Sequence, residues 1–268
     1  MIETKYDNLK KLLTDMGSVA VAFSGGVDSS LLLKVAHDCL GDRAAGITAV
    51  SPSVPAHELA TAQEVARHIG ARHFLIESNE LADENYLANG PDRCYFCKHH
   101  TYEELIPFAQ AHGYAQVVDG NNADDLGDHR PGQRAARERG VRSPLQETGF
   151  TKAEIRALAK QLGLPNWDMP SAACLSSRVP YGTRISVPIL SQIERAELVL
   201  RRLGLRQVRV RHHDQVARIE VLPDDFPVVL AHREELVQEF KALGYTFVTL
   251  DLAGFRSGSM NEVLAHGR

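Results

Sequence analysis

The sequence predicts an α/β protein, a doubly wound parallel sheet followed by a smaller C-terminal α+β domain. Three observations lead there. Short apolar runs with β-branched members recur at 19–23 (VAVAF), 44–50 (AAGITAV), 72–76 (RHFLI) and 115–119 (AQVVD), as buried strands do. Stretches of helical period separate them, at 29–40, 56–69 and 98–112. Beyond residue 188 the order changes to helix, strand, strand, helix, strand, which describes a second, smaller unit.

Each element has its own signal. The helix over 56–69 carries apolar residues at Leu59, Ala62, Val65, Ala66 and Ile69, one face of a 3.6-residue repeat. Strands alternating with such helices form a sheet that binds ligands where its strands end. Thr151-Lys-Ala-Glu154 is a capping box before Ile155, Leu158, Ala159 and Leu162, and Gly163 with Pro165 closes that helix. The first domain is therefore placed at 1–168, and a Ser-, Pro- and Gly-rich linker at 169–188 carries Cys174. The second domain, 189–268, reads as helix 189–203, strands 206–212 and 215–221, helix 230–242 and strand 245–251. Residues 253–268 hold too many Gly and Ser for an assignment. A length of 268 residues exceeds the roughly 100–150 of a typical single domain, in keeping with this division.

Composition narrows the function. With 44% hydrophobic and 24% charged residues the chain is of ordinary globular type. No apolar run approaches the roughly 20 residues that span a bilayer, and the N-terminus lacks a signal-peptide pattern, so a cytoplasmic protein without a membrane partner is expected. A net charge of −4 gives no basic field for a nucleic acid and favours a small-molecule substrate. Four cysteines are too few for a disulfide scaffold, and the pair Cys94-x-x-Cys97 points to a metal or redox site.

The segment Ser24-Gly25-Gly26-Val27-Asp28-Ser29-Ser30 follows an apolar strand and opens a helix. Paired glycines let the backbone approach phosphate, and the hydroxyls of Ser24, Ser29 and Ser30 join the helix's free N–H groups as donors. A plain turn with an N-cap is the alternative at such a junction. The loop contains no lysine, unlike the GxxxxGK[ST] loop that holds a departing γ-phosphate. It resembles the PP-loop of the ATP pyrophosphatases, a superfamily that includes GMP synthetase, NAD synthetase and several sulfur-inserting enzymes. That resemblance implies a PP-loop fold, cleavage of ATP between the α and β phosphates, and adenylation of a substrate oxygen. A second segment, Gly120-Asn121-Asn122-Ala123-Asp124-Asp125, follows the strand 115–119 and so borders the same crevice. Asp124 and Asp125 are candidates to hold Mg²⁺ against phosphate oxygens, with solvated acids on an Asx turn as the alternative.

Three cysteines suggest the nucleophile that meets the activated oxygen. Arg93 and Lys98 flank Cys94 and Cys97, and Arg178 follows Cys174, a cationic setting that favours thiolates. A structural zinc with His99 or His100, a redox dithiol, and an iron–sulfur cluster with one open iron all remain open on these residues. Cys39, on an apolar helix face, reads as a core residue.

Taken together, SGGVDSS, Asp92-Arg-Cys-Tyr-Phe-Cys-Lys98, GNNADDLGDHRPG (120–132), PSAACLSSRVPYGTRIS (170–186) and RVRHH with ARIEV (209–213, 217–221) resemble the LarE family along most of the chain. The resemblance implies an ATP-dependent sulfur transferase that adenylates the carboxylates of pyridinium-3,5-biscarboxylic acid mononucleotide and turns them into thiocarboxylates for the nickel-pincer cofactor of lactate racemase. Members with only the cysteine matching Cys174 give up its sulfur and are left with dehydroalanine. Members that also carry the CxxC resemble forms in which three cysteines hold a 4Fe-4S cluster, so Cys94, Cys97 and Cys174 are expected to be cluster ligands here.

The expected catalytic residues are Cys174, Asp28 and Arg178, with ATP held by Ser24, Gly25, Gly26, Asp28, Ser29, Ser30, Gly120, Asn121, Asp124 and Asp125. The resemblance also implies that Glu197 and Glu220 contribute to a metal or phosphate region, that Arg209 and Arg211 bind the substrate nucleotide, and that the protein forms homo-oligomers. For these four charged residues, surface charges or cross-strand ion pairs are the alternative. A tRNA thiolation enzyme of the same superfamily and a non-catalytic nucleotide sensor are the rival readings. The absence of a basic arm speaks against the first, and the acids and thiols against the second.

Overall fold

The four apolar runs form four strands, β1 (Val19–Ala22), β2 (Ala44–Val50), β3 (Arg72–Glu77) and β4 (Gln116–Val118), all parallel and in the order β3-β2-β1-β4. The computed structural model describes residues 2–125, 131–170, 173–256 and 258–259. Residues 126–130 of the second loop, 171–172 of the cysteine segment, and the C-terminal residues 257 and 260–268 lie outside the described residues.

The chain divides into two compact units, one of residues 1–83 and 92–172, the other of 84–91 and 173–268. In the first, α1 (Ile2–Asp15) precedes β1, and α2 (Val27–Leu40) and α3 (Ala56–Ile69) connect β1 to β2 and β2 to β3. β1 and β2 are almost wholly buried, which is why they read as continuous apolar runs and not as alternating ones. Successive strands build outward from β1 to β3, and β4 then joins the other side of β1. The strand order reverses between β1 and β4, which opens a crevice at their C-terminal ends.

Helix α5 (Arg93–Ala111) begins earlier than its periodicity suggests, so both CxxC cysteines lie on its first turns. Pro107 sits inside it at the cost of one helical hydrogen bond. After β4 come α6 (Pro131–Glu138), α7 (Pro144–Glu147) and α8 (Lys152–Gln161), and α8 carries the predicted capping box with Thr151 and Glu154 bonded reciprocally.

The second unit contains the short α4 (Glu84–Leu87), then α9 (Val187–Arg202), β5 (Val208–His213), β6 (Val216–Val221), α10 (Phe226–Ala231), α11 (Arg233–Ala242) and β7 (Phe247–Leu250). β5 and β6 form an antiparallel hairpin in which Asp214 takes a positive φ of 51°, and β7 adds parallel to β6. The single helix expected over 230–242 is two, because Pro227 starts one and His232 interrupts the path into the next. Val199, Leu200, Val208, Val210, Ile219 and Phe240 form its core. No helix among the described residues is long and apolar enough to cross a membrane.

Candidate active site

In the first unit the chain leaves β1 and enters α2 through the SGGVDSS loop. Gly25 has φ +74°, and a Cβ on it would lie 2.7 Å from the Ala62 Cα, so the loop lies against α3 as only glycine allows. Gly26 is the N-cap of α2 and makes no side-chain capping bond. The first N–H groups of a helix have no partner within it, and together they suit an anion. Ser29 braces the loop: its Oγ accepts from the Ser24 N–H (3.3 Å) and donates to the Gly26 carbonyl (3.1 Å). Ser30 is buried, and Asn166 donates both to its Oγ (2.9 Å) and to the Gly25 carbonyl (2.7 Å).

The second loop meets the first at Gly120. A Cβ there would stand 2.9 Å from the Ser29 backbone nitrogen, so the chain beyond β4 passes directly over the start of α2. Asn122 donates to Asp28 (3.4 Å), and the backbone N–H of Asn122 donates to Asp125 (3.0 Å). Asn121 donates through its side chain to Asp119 (2.7 Å). Asp119 also accepts from Ser143 (2.6 Å) and Tyr102 (3.2 Å), while burial holds its carboxyl above the usual range.

Lys152 connects the two loops. Its ammonium pairs with Asp28, and its backbone N–H donates to Asp124 (2.8 Å). The phosphate loop has no lysine of its own, but α8 delivers one to its acid. Sequence reasoning saw Lys152 only as the first residue of a capped helix, and nothing in the local pattern pointed it towards Asp28. His73 was also missed. The Thr48 hydroxyl donates to the Phe23 carbonyl (2.7 Å), so it accepts from His73 Nε2 (2.7 Å), and the last residue before the loop is thereby anchored across β2 and β3. Burial pushes the His73 imidazole below its ordinary value.

Mg²⁺ fits this donor set. It takes one or two carboxylates together with phosphate oxygens, and Asp28, Asp124 and Asp125 present hard oxygens on the two loops. Cys94 is exposed and Cys97 half-buried on the first turns of α5, neither in a disulfide, with the buried Arg93 guanidinium 3.9 Å from the Cys94 sulfur.

The second unit holds Cys174 at the N-cap of a 3₁₀ turn, Leu175–Arg178. The expected catalytic Arg178 is wholly buried, and its guanidinium grips the chain around the cysteine. It makes a two-pronged pair with Glu197 (2.8 and 3.0 Å) and donates to the carbonyls of Ala173 and Cys174, the latter at 2.9 Å. The Glu197 carboxyl is pushed up by burial, but Arg178, Arg209 and the Val210 N–H outweigh this and hold it below its usual value.

Glu197 and Glu220, expected near a metal, are instead spent on arginines. Glu220 accepts from Arg211 across the β5–β6 hairpin (2.8 Å) and from Arg218, two residues back on its own strand (3.1 Å). A fully buried carboxylate requires such cations, so the cross-strand alternative describes Glu220. Arg211 further donates to Ser259 (2.8 Å) and to the Ser177 carbonyl (2.8 Å), and the buried Arg209 lies over the Phe255 ring.

The three cysteines expected to hold a cluster are divided between the two units. Cys94 and Cys97 belong to one unit and Cys174 to the other. Among the described residues no three His, Cys, Asp or Glu side chains are grouped to hold a metal ion.

Comparison with known proteins bears on the same residues. The asparagine synthase family model matches residues 6–118, the stretch that holds the phosphate loop. Pyridinium-3,5-bisthiocarboxylic acid mononucleotide synthase of Lactiplantibacillus plantarum is 40% identical over 98% of this chain and 96% of its own. The chain belongs to the LarE family. It is therefore an ATP-dependent sulfurtransferase of the PP-loop superfamily. Uncharacterised proteins of Synechocystis (50% identical over 98% of this chain and 99% of its own) and Methanocaldococcus jannaschii (31% over 94% and 95%) are similar along their length. LarE-type identity thus spans both units.

Proposed function

We propose that this LarE-type protein uses ATP to adenylate the carboxylates of pyridinium-3,5-biscarboxylic acid mononucleotide and converts them to thiocarboxylates. The observation that carries the reading is the end-to-end match to a relative named for making the bisthiocarboxylic mononucleotide. The lysine-free loop at the β1–β4 crevice supports it.

A substrate carboxylate oxygen attacks the α-phosphorus of ATP, the α–β bridging bond breaks, and pyrophosphate leaves. The amides at the start of α2 and the hydroxyls of Ser24 and Ser29 hold the outgoing pyrophosphate. Lys152 exchanges its bond with Asp28 for phosphate oxygens, and Asp28 and Asp124 are the residues that would hold Mg²⁺. Mg²⁺ neutralises phosphate charge when bound.

The Cys174 thiolate then attacks the acyl carbon, the bond to AMP breaks, and a thioester results. Removal of the Cys174 α-proton expels the thiocarboxylate from Cβ and leaves dehydroalanine. Arg178 holds the backbone of this residue in place. A second reading, sulfide carried on a 4Fe-4S cluster, is favoured by the two cysteines, neither in a disulfide, at the start of α5. No step is assigned to it.

One experiment tests the reaction and the sulfur source. The protein, anaerobically reconstituted and untreated, is incubated with ATP, sulfide and the biscarboxylate nucleotide, and products and protein are weighed by mass spectrometry. Oxygen-to-sulfur exchange with AMP and pyrophosphate is expected. ADP and orthophosphate would refute adenylation. Loss of hydrogen sulfide from Cys174 assigns the sulfur to that residue, whereas stoichiometric iron with repeated turnover assigns it to a cluster.

A further inference from the structure

The segment 84–91 lies within the second unit, although the residues on either side of it belong to the first. Its partners run along the loop that follows Cys174. Asn89 is fully buried and takes a φ of 53°, a left-handed conformation that asparagine tolerates better than most side chains. Its Nδ2, with two protons to donate, lies within hydrogen-bonding distance of the carbonyls of Val179 (3.2 Å), Pro180 (2.8 Å) and Thr183 (3.1 Å), and its own carbonyl accepts from the Gly182 N–H (3.1 Å). Leu87 accepts from the Ile185 N–H (2.9 Å), and the buried Tyr86 hydroxyl meets Ser176 Oγ at 2.6 Å.

Residues 179–186 form neither helix nor strand, so their backbone groups need partners from elsewhere. Asn89 serves three of their carbonyls from one amide, whose two protons they share. The same turn is held from its other side by Arg178, through the carbonyls of Ala173 and Cys174. The half-buried thiol stands at the N-cap of a single 3₁₀ turn, and these two clamps hold that turn and the loop after it in place.

We propose that Asn89, with Tyr86, is a positioning residue for Cys174. It fixes the loop from which the thiol presents its sulfur, and it acts on the sulfur step rather than on adenylation. This rests on reading Cys174 as the residue that handles sulfur.

The test uses full-length Asn89→Gly, which keeps the positive φ without the amide, and Tyr86→Phe, which removes one hydroxyl and carries the same test should the glycine variant not fold. Two quantities are read. The first is the iodoacetamide alkylation rate of Cys174, followed by peptide mass spectrometry, with Cys39 as control for opening of the first unit and the calorimetric melting of each variant as control for the second. The second is thiocarboxylate formed per pyrophosphate released. The expected result is a change of about tenfold in Cys174 alkylation at an unchanged Cys39 rate, and a fall of about 100-fold in thiocarboxylate per pyrophosphate, the size of a misplaced reacting group. Unchanged values in the folded variants, or Cys39 alkylation rising in step with Cys174, would overturn the proposal. If the wild-type protein released no pyrophosphate, the adenylation reading would fall, while the two alkylation rates would still decide whether Asn89 positions the thiol.

Discussion

Replacing Arg178 with methionine removes a guanidinium that is wholly buried and leaves Glu197, 2% exposed, without its two-pronged partner. Breaking a buried ion pair from one side costs about 3–5 kcal/mol, because the remaining charge stays desolvated. For a cooperative unit of roughly 100 residues each kcal/mol is worth about 4 °C or more, so the second unit should melt at least about 12 °C lower. Calorimetry on Arg178→Met measures this. In Arg178→Met/Glu197→Gln the stranded charge is neutral while an oxygen still accepts from the Val210 N–H, so about 2 kcal/mol should return.

The pH dependence has a definite sign. The folded-state value of Glu197 is depressed, so its contribution is present above the unfolded-state value and is lost as pH falls through the folded one. The gap between wild type and Arg178→Met should therefore narrow in acid. A methionine variant melting within about 2 °C of wild type, with no relief from the glutamine, would refute the account of the buried pair.

Other perturbations address the first unit. Gly120→Ala would drive a methyl to 2.9 Å from the Ser29 nitrogen, where backbone must yield, so stability should drop by about 1–3 kcal/mol and calorimetric ATP affinity should fall with it. Lys152→Met should slow pyrophosphate release far more than it lowers the melting temperature, since the Asp28 pair is partly exposed; equal rates would remove Lys152 from the phosphate site. Burial depresses the imidazoles of His73 and His212, so their unfolded forms take up protons first as pH drops. Stability should be full above about pH 7, decline below the ordinary imidazole value, and level off once the folded values are passed, with a shallower slope in His73→Gln by denaturant titration at each pH.

Much of the first unit was legible because its central strands β1 and β2 are buried on both faces. Runs such as AAGITAV have few other destinations, and the glycines and hydroxyls of SGGVDSS name their own backbone geometry. The TKAE cap was read correctly for the same local reason. What escaped depends on distance along the chain. Lys152 reaches Asp28 from 124 residues away and Asn89 reaches Pro180 across 91, and no periodicity records such pairs. Helix α1 was also missed, although Leu9 and Leu13 are its buried face. The roles of Arg178, Glu197 and Glu220 could not be read from spacing, because a buried arginine–glutamate pair and an exposed ligand look alike in one dimension.

The interleaving of 84–91 with the second unit has a consequence for how the chain is made. Emerging from the ribosome, this segment appears some ninety residues before the Ser176 and Pro180 groups that it binds. The second unit cannot finish folding until synthesis has passed Ile185, and Tyr86 and Asn89 must wait unsatisfied through that interval. A fragment ending at residue 172 would keep this stretch permanently without the partners that it has in the folded chain.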